Sequence, residues 1–213
     1  MHDHAYSEPD RAAVHRVIAE RRDMRHFSGG TVDDDLLARL LTAAHHAPSV
    51  GLMQPWRFVR ICDRALRRDI HRLVEAERVL TAEALGERSD EFMRLKVEGV
   101  LDCAELLVVA LGDDRDRHVF GRRTMPHMDL ASASCAIQNL WLAARAEGLG
   151  MGWVSLFDPE ALRVLLGMPG GSEPIAVLCL GPVTEFYDRP MLEDLGWATP
   201  RPLTELVSVD GWG

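Results

Sequence analysis

Apolar positions recur along the chain at helical and strand periods, and the two alternate. Val14, Val17 and Ile18 fall at helical spacing, and the next position on that stripe is Arg21. Leu36, Leu37, Leu40, Leu41 and Ala44 predict a second helix. Thr31 with Asp34 three residues on reads as its capping box, and His45-His46-Ala47-Pro48 as its end, since proline cannot continue the hydrogen-bond ladder. Arg57–Cys62 is strand-like. Residues 64–98 are highly charged with apolar positions at helical spacing, interrupted at Gly86 and Ser89-Asp90, which predicts two helices or one broken helix. Ala104–Gly112 has the length and branching of a buried strand, and Asp113–Arg117 reads as a turn.

Met128–Glu147 is apolar almost all round, so it belongs inside a core or at a subunit interface. Its small residues allow close backbone approach, which favours a homodimer. Asp129, Gln138, Asn139 and Arg145 within it argue against a membrane span. Gly150–Phe157 predicts a short strand that ends near Ser155, and Asp158 with Pro159 opens another helix. Pro174–Gly181 predicts the last strand, and residues 182–213 an irregular tail that wraps over a partner subunit. Nothing in the composition marks a boundary, so residues 1–213 are read as one domain.

Composition narrows the partner. The chain has 213 residues, 47% of them hydrophobic, with 24 Lys and Arg against 33 Asp and Glu, a formal charge of -9. That balance argues against general affinity for nucleic acid or anionic membrane and leaves room for a local basic pocket. Cys62, Cys103, Cys135 and Cys179 form no C-x-x-C pair, and no basic-then-apolar leader precedes them, so a reducing cytoplasm is expected. His2 and His4 lie among polar residues without a third ligand, and no metal site is expected.

The densest chemistry is Arg21-Arg22-Asp23-Met24-Arg25-His26-Phe27. A guanidinium directed at the core requires an anion, because an unpaired buried ion costs several kcal/mol. Arg21 and Arg25 together favour an anion site, whereas Arg22 suits a solvated helix end equally well. Ala47–Trp56, with two prolines and a glycine, offers a hydroxyl, an amide and backbone N–H groups to a planar polar ligand; the plain alternative is a helix-to-strand connection plugged by Trp56. Arg88 and Lys96 are candidates to face a site from the charged segment, although a solvated face explains each. No Walker loop, G-x-G-x-x-G, H-E-x-x-H or zinc spacing occurs, and no G-x-S-x-G elbow surrounds Ser155. Elementary physics therefore reaches an α+β dimer with an anion site.

Residues 21–27 resemble the phosphate-binding R-R-S-x-R-x-F element of flavin-dependent nitroreductases, and Ala47–Trp56 resembles their P-S-x-x-N-x-Q-P-W loop. Within that superfamily the chain resembles the BluB-type 5,6-dimethylbenzimidazole synthases over nearly its whole length. The resemblance is carried by Asp23 in place of the usual serine, by His45–Gly51 and Met53–Trp56, and by Asn139–Gly148 and Gly152–Ser155. It implies a nitroreductase-like α+β fold with a mixed central sheet flanked by helices, and an intertwined homodimer whose two FMN sites draw on both subunits. A charged helical lid at about 76–100 closes over each flavin, and residues from about 182 to 213 form the extended tail.

The implied reaction consumes its flavin. Reduced FMN and dioxygen give 5,6-dimethylbenzimidazole, the lower ligand of cobalamin, and erythrose phosphate, with a separate NAD(P)H-dependent flavin reductase supplying the reduced FMN. Asp23 and Ser155 are the implied catalytic pair, the carboxylate taking or relaying a proton and the hydroxyl orienting or donating to the flavin once oxygen has added. Arg21, Arg22 and Arg25 are assigned to the phosphate, with Asp23, Met24, Ser49, Gly51, Gln54 and Ser155 also at the flavin. Arg88 closes the lid, and Arg201 is a basic contact from the tail. A salt bridge to Arg22 or Arg25 is the plain alternative for Asp23. An FMN-dependent NAD(P)H nitroreductase or quinone reductase is the rival activity, and a non-enzymatic flavin-binding protein the third reading.

Overall fold

The computed structural model describes residues 4–212, so His2 lies outside the described residues. Four strands form one sheet in the order β1 (Trp56–Arg60), β2 (Glu105–Leu111), β4 (Glu173–Gly181), β3 (Gly150–Val154), every named pair antiparallel. Among the described residues the one parallel pairing is an isolated bridge between Asp23 and Met151 on the far side of β3. This bridge is what attaches the arginine-rich segment to the sheet.

Every residue of β2 is buried, because helices cover both faces and its side chains alternate between them. Leu107, Val109 and Leu111 point with Ala176, Leu178 and Leu180 of β4 toward α2 (Asp34–His45) and α5 (Met128–Ala146). Leu106 and Val108 point with Val177 and Cys179 toward α3 (Arg64–Ala84) and α6 (Pro159–Leu165), where Ile70, Val74 and Leu162 meet them. Each fully buried aliphatic side chain of this kind contributes roughly 1.5–3 kcal/mol by leaving water.

The boundaries follow the hydrophobic pattern closely, with corrections at the cap of α2 and at the first apolar stripe, while the charged stretch breaks where expected. The cap of α2 is Asp33 rather than Thr31: its Oδ1 accepts from Asp35 N at 2.9 Å and Leu36 N at 3.2 Å. A carboxylate two residues nearer the helix reaches its free N–H groups without a further turn. The charged stretch resolves into α3 and the short α4 (Ser89–Met93), broken at Gly86 with φ +56°. The stripe of α1 (Glu8–Glu20) does not enter the core, since Val14 and Ile18 are 53% and 52% exposed. Helical spacing identifies a stripe and is silent about what covers it. Similarly, α5 buries most of its surface but leaves Leu130, Ala131, Cys135 and Gln138 exposed along one side. Asp158 caps α6 through Ala161 N at 2.7 Å, with Pro159 opening the helix. The tail carries a short α7 (Met191–Asp194) and returns Trp197 against Phe92 of α4. Among the described residues no helix is long and apolar enough to cross a membrane.

Candidate active site

α1 ends at Arg21, and the next residues run extended beside β3. Met24 N donates to Met151 O at 2.9 Å and Trp153 N donates to Asp23 Oδ1 at 3.0 Å. The two backbones can approach this closely because Gly152 has no side chain: a Cβ there would lie 2.3 Å from Met24 O. Met24 is fully buried beneath Gly150 and serves as the anchor of the segment.

Above that anchor lies a cavity of about 320 Å³, within the range of small-molecule sites. Arg21, Arg22, Asp23 and Arg25 line one wall, Trp153 to Leu156 the floor, and Phe92, Leu95 and Val97 a third side. Pro190, Met191, Leu192 and Trp197 bring the tail over it. Ser155, immediately after β3, is exposed at this cavity, and its hydroxyl makes no hydrogen bond to the described residues.

The three arginines differ in what they have left to offer. Arg25 is 9% exposed; its Nη2 donates to Asp23 Oδ2 at 2.5 Å and to Trp153 O at 2.8 Å, while its Nη1 is buried without a partner. Arg22 donates to the carbonyls of Ala19, Arg21 and Asp188, so it closes the C-terminus of α1 and ties it to the tail; its Nε is buried and unpaired. Arg21 stacks on the Trp141 ring at 4.6 Å, and its guanidinium forms no ion pair or hydrogen bond with the described residues. The wall is therefore a set of guanidinium donors satisfied only in part. A phosphate, with several acceptor oxygens, fits that donor set.

Asp23 is held above the ordinary carboxylate range. Burial among the packed groups around the cavity raises it, and this outweighs the lowering by the Arg25 charge, the Trp153 N–H and Arg21. Its side chain still keeps 43% of its surface open, and Asp23 lines the cavity, so the carboxylate is reachable from there. A reachable carboxylate with a raised pKa, lining the same cavity as a free hydroxyl, is suited to moving protons.

The other expected contacts lie apart from this cavity. Ser49, Gly51 and Gln54 sit on the loop between α2 and β1, where Ser49 Oγ accepts from Gln54 N at 3.0 Å and Gln54 Nε2 lies 3.5 Å from His45 Nε2. Gly51, Leu52 and Gln54 all have positive φ, of 53°, 51° and 47°. Two non-glycine residues in that region store roughly 1–3 kcal/mol each, a cost that clusters at ligand-binding loops. Arg88 does not line the cavity; it stacks 3.6 Å over the Trp197 ring, donates to Trp197 O at 3.1 Å and pairs with Glu91. Arg201 is 65% exposed and pairs with Glu205 at 3.3 Å.

Two groups escaped the reading of the sequence. Tyr187 Oη accepts from Arg25 N at 3.2 Å and lies 2.6 Å from His26 Nδ1, bracing the arginine segment from the tail. Trp197 covers the cavity and links Arg88 to Phe92. Both come from an irregular stretch whose composition carries no periodic signal; the density of aromatic residues in that tail was the one available hint.

A cavity walled by an arginine segment bridged to the sheet edge, over an antiparallel sheet with helices on both faces, defines a class, and the chain belongs to the Nitroreductase family, whose profile matches residues 18–182. The 5,6-dimethylbenzimidazole synthase of Rhodospirillum rubrum is 44% identical over 187 residues, covering 85% of this chain and 87% of that protein. A 5,6-dimethylbenzimidazole synthase of Rhodobacter capsulatus is 38% identical over 200 residues, covering 92% and 96%. Among solved structures, a BluB-like flavoprotein from Clostridium difficile superposes with a TM-score of 0.71 at 19% identity, covering 93% of this chain and 99% of the other, a likeness of fold.

Proposed function

We propose that this chain is an enzyme that converts reduced FMN and dioxygen to 5,6-dimethylbenzimidazole, the lower ligand of cobalamin, and erythrose phosphate. The observation that carries the reading is Asp23, a carboxylate with a raised pKa that shares one cavity with Ser155 and the partly satisfied arginines. Similarity over most of the chain to two proteins named for that synthesis supports it. An ordinary nitroreductase needs no base at this position.

Reduced FMN is the substrate and, with dioxygen, supplies the redox chemistry. Arg21, with no anion partner of its own, takes the phosphate together with the unfilled Nη1 of Arg25 and Nε of Arg22. Met24 holds the segment down from beneath. Asp23 accepts a proton from the ribityl carbon, since burial makes its carboxylate more basic, and Arg25 and the Trp153 N–H keep it oriented. Ser155, with its hydroxyl free, donates to an oxyanion as it develops.

Members of this family are commonly homodimers. In our reading the loop bearing Ser49, Gly51 and Gln54 completes the site of the other subunit, while the exposed sides of α1 and α5 meet across the interface. Residues 76–100 act as the lid, in which Arg88 latches onto Trp197, and residues 182–213 as a strap over the site to which Arg201 belongs. A separate NAD(P)H-dependent reductase delivers the reduced FMN, in the cytoplasm.

The test is to mix the purified protein with pre-reduced FMN in air and separate the products by chromatography beside a protein-free control. A dimethylbenzimidazole peak that Asp23→Asn and Ser155→Ala reduce at least tenfold is expected. Oxidised FMN alone, equal to the control, together with NADH oxidation by the flavin-loaded protein, would establish the nitroreductase activity instead.

A further inference from the structure

His71 and Glu75 lie one turn apart on α3, so their side chains rise from the same face of the helix. Glu98, 23 residues beyond Glu75 and outside any helix, is brought against them. One donor atom from each residue lies within 4.8 Å of the other two, and His71 Nε2 stands 3.8 Å from Glu98 Oε1. All three residues are half-buried, with side-chain exposures of 26% for His71, 36% for Glu75 and 15% for Glu98. None of them lines the cavity described above.

We propose that His71, Glu75 and Glu98 form a binding site for one first-row divalent cation per chain. Imidazole nitrogen with two carboxylate oxygens is a donor set that suits Zn²⁺, Mn²⁺ or Co²⁺ and provides neither the thiolates of a soft site nor the six to eight oxygens of a calcium site. Ligands at about 2.0–2.2 Å from a tetrahedral ion stand about 3.4 Å apart. The observed spacing therefore requires each side chain to move inward by an ångström or less, within the range of a rotamer adjustment. Glu98 is already oriented from behind, because its Oε2 accepts from Val100 N at 2.5 Å and leaves Oε1 directed at His71. Glu75 is shared with Arg78, whose Nη1 lies 3.4 Å from both carboxylate oxygens. Three protein ligands leave at least one position to water.

The consequence is mechanical. Glu98 follows Val97, which lines the cavity, and precedes Gly99, where a Cβ would collide with the Phe27 ring at 2.5 Å. A cation here would clip the end of the residue 86–98 segment to α3 and hold that cavity wall in place. The site stands on its own geometry, independently of the proposed reaction.

The full chain, stripped with a chelator and dialysed, is titrated with ZnCl₂, MnCl₂ and CoCl₂ by calorimetry, and the visible absorption of Co²⁺ is followed. One cation per chain, weakened at least tenfold by His71→Gln and by Glu98→Gln but unchanged by Glu77→Gln, is the expected result. A rise in Tm on adding the cation, absent in His71→Gln, checks the clip, and circular dichroism confirms that each variant is folded. Absence of binding would overturn the proposal. So would binding that survives both variants and disappears when His2 and His4 are replaced by alanine.

Discussion

Replacing Gly152 by alanine tests how the arginine segment is held. The new Cβ would stand 2.3 Å from Met24 O, a backbone atom that cannot rotate aside, and 3.3 Å from Arg25 Nη1. The segment must move off β3 by about an ångström to restore ordinary contact, because an overpacked interior yields only by shifting backbone. That movement breaks or lengthens two hydrogen bonds, Met24 N to Met151 O and Trp153 N to Asp23 Oδ1. At about 1 kcal/mol per bond, plus about 1–3 kcal/mol for overpacking, the loss is about 3–5 kcal/mol. For a chain of this size that corresponds to a drop in Tm of roughly 6–20 °C. Gly170→Ala is the matched control, since nothing lies within 4 Å of its added Cβ and its backbone is not in the left-handed region. Thermal melts and urea titrations of the two variants, with FMN affinity measured by flavin fluorescence, provide the comparison. A Gly152→Ala protein that melts within 2 °C of the Gly170→Ala control, with unchanged flavin affinity, would refute this account of the attachment.

Asp23 makes a pH-dependent contribution of known sign. Its folded pKa is raised above 3.8, so the folded chain holds a proton that the unfolded chain has released, and stability from this group falls as pH rises from 3.8 through the folded value. Wild type should therefore lose stability relative to Asp23→Asn across that window in urea titrations, with a constant gap above it. Asp129, 4% exposed, accepts from Arg115 and Arg122 at 3.1 and 3.0 Å, and Asp129→Asn removes the carboxylate that pairs with Arg122 and leaves Arg115 only the half-exposed Glu173 at 3.4 Å. Urea titration should show a loss of about 3 kcal/mol, at the low end for a broken buried pair because both arginines keep carbonyl acceptors. Arg21→Ala should weaken FMN binding at least tenfold while changing Tm by less than 2 °C, since the Arg21 guanidinium stacks on Trp141 and makes no hydrogen bond or ion pair with the described residues.

The elements that the sequence announced are those whose own residues decide them. The apolar run of β2, the stripe of α2 and the Asp158-Pro159 opening of α6 are local events, and each falls within a residue or two of its expected place. The segment from Arg21 to Arg25 was conspicuous because charge beside an apolar stripe demands a partner, and the cavity lies against it. What could not be read was long-range. Nothing in Gly152 says that Met24 will approach it, and nothing in residues 182–213 says that Tyr187 will brace Arg25 or that Trp197 will roof the cavity. The distance between the Ser49–Gln54 loop and Asp23 has the same origin, since two motifs can each be recognisable while their relative position depends on the whole sheet. His71, Glu75 and Glu98 lack any familiar metal spacing because their third member arrives from a different segment.

The bridge between residue 23 and β3 also sets an order of events in folding. Asp23 and Trp153 are 130 positions apart, and β3 is stabilised in turn by β4, which begins only at Glu173. Contacts that close such long loops are formed late, after the entropy of closure has been offset by the rest of the sheet. The arginine segment is thus among the first parts of the domain to be synthesised and among the last to find its place. Until β4 has joined the sheet, Arg21 to Arg25 remain a loose basic strip, and a chain interrupted before Glu173 has every arginine of the cavity wall and no wall.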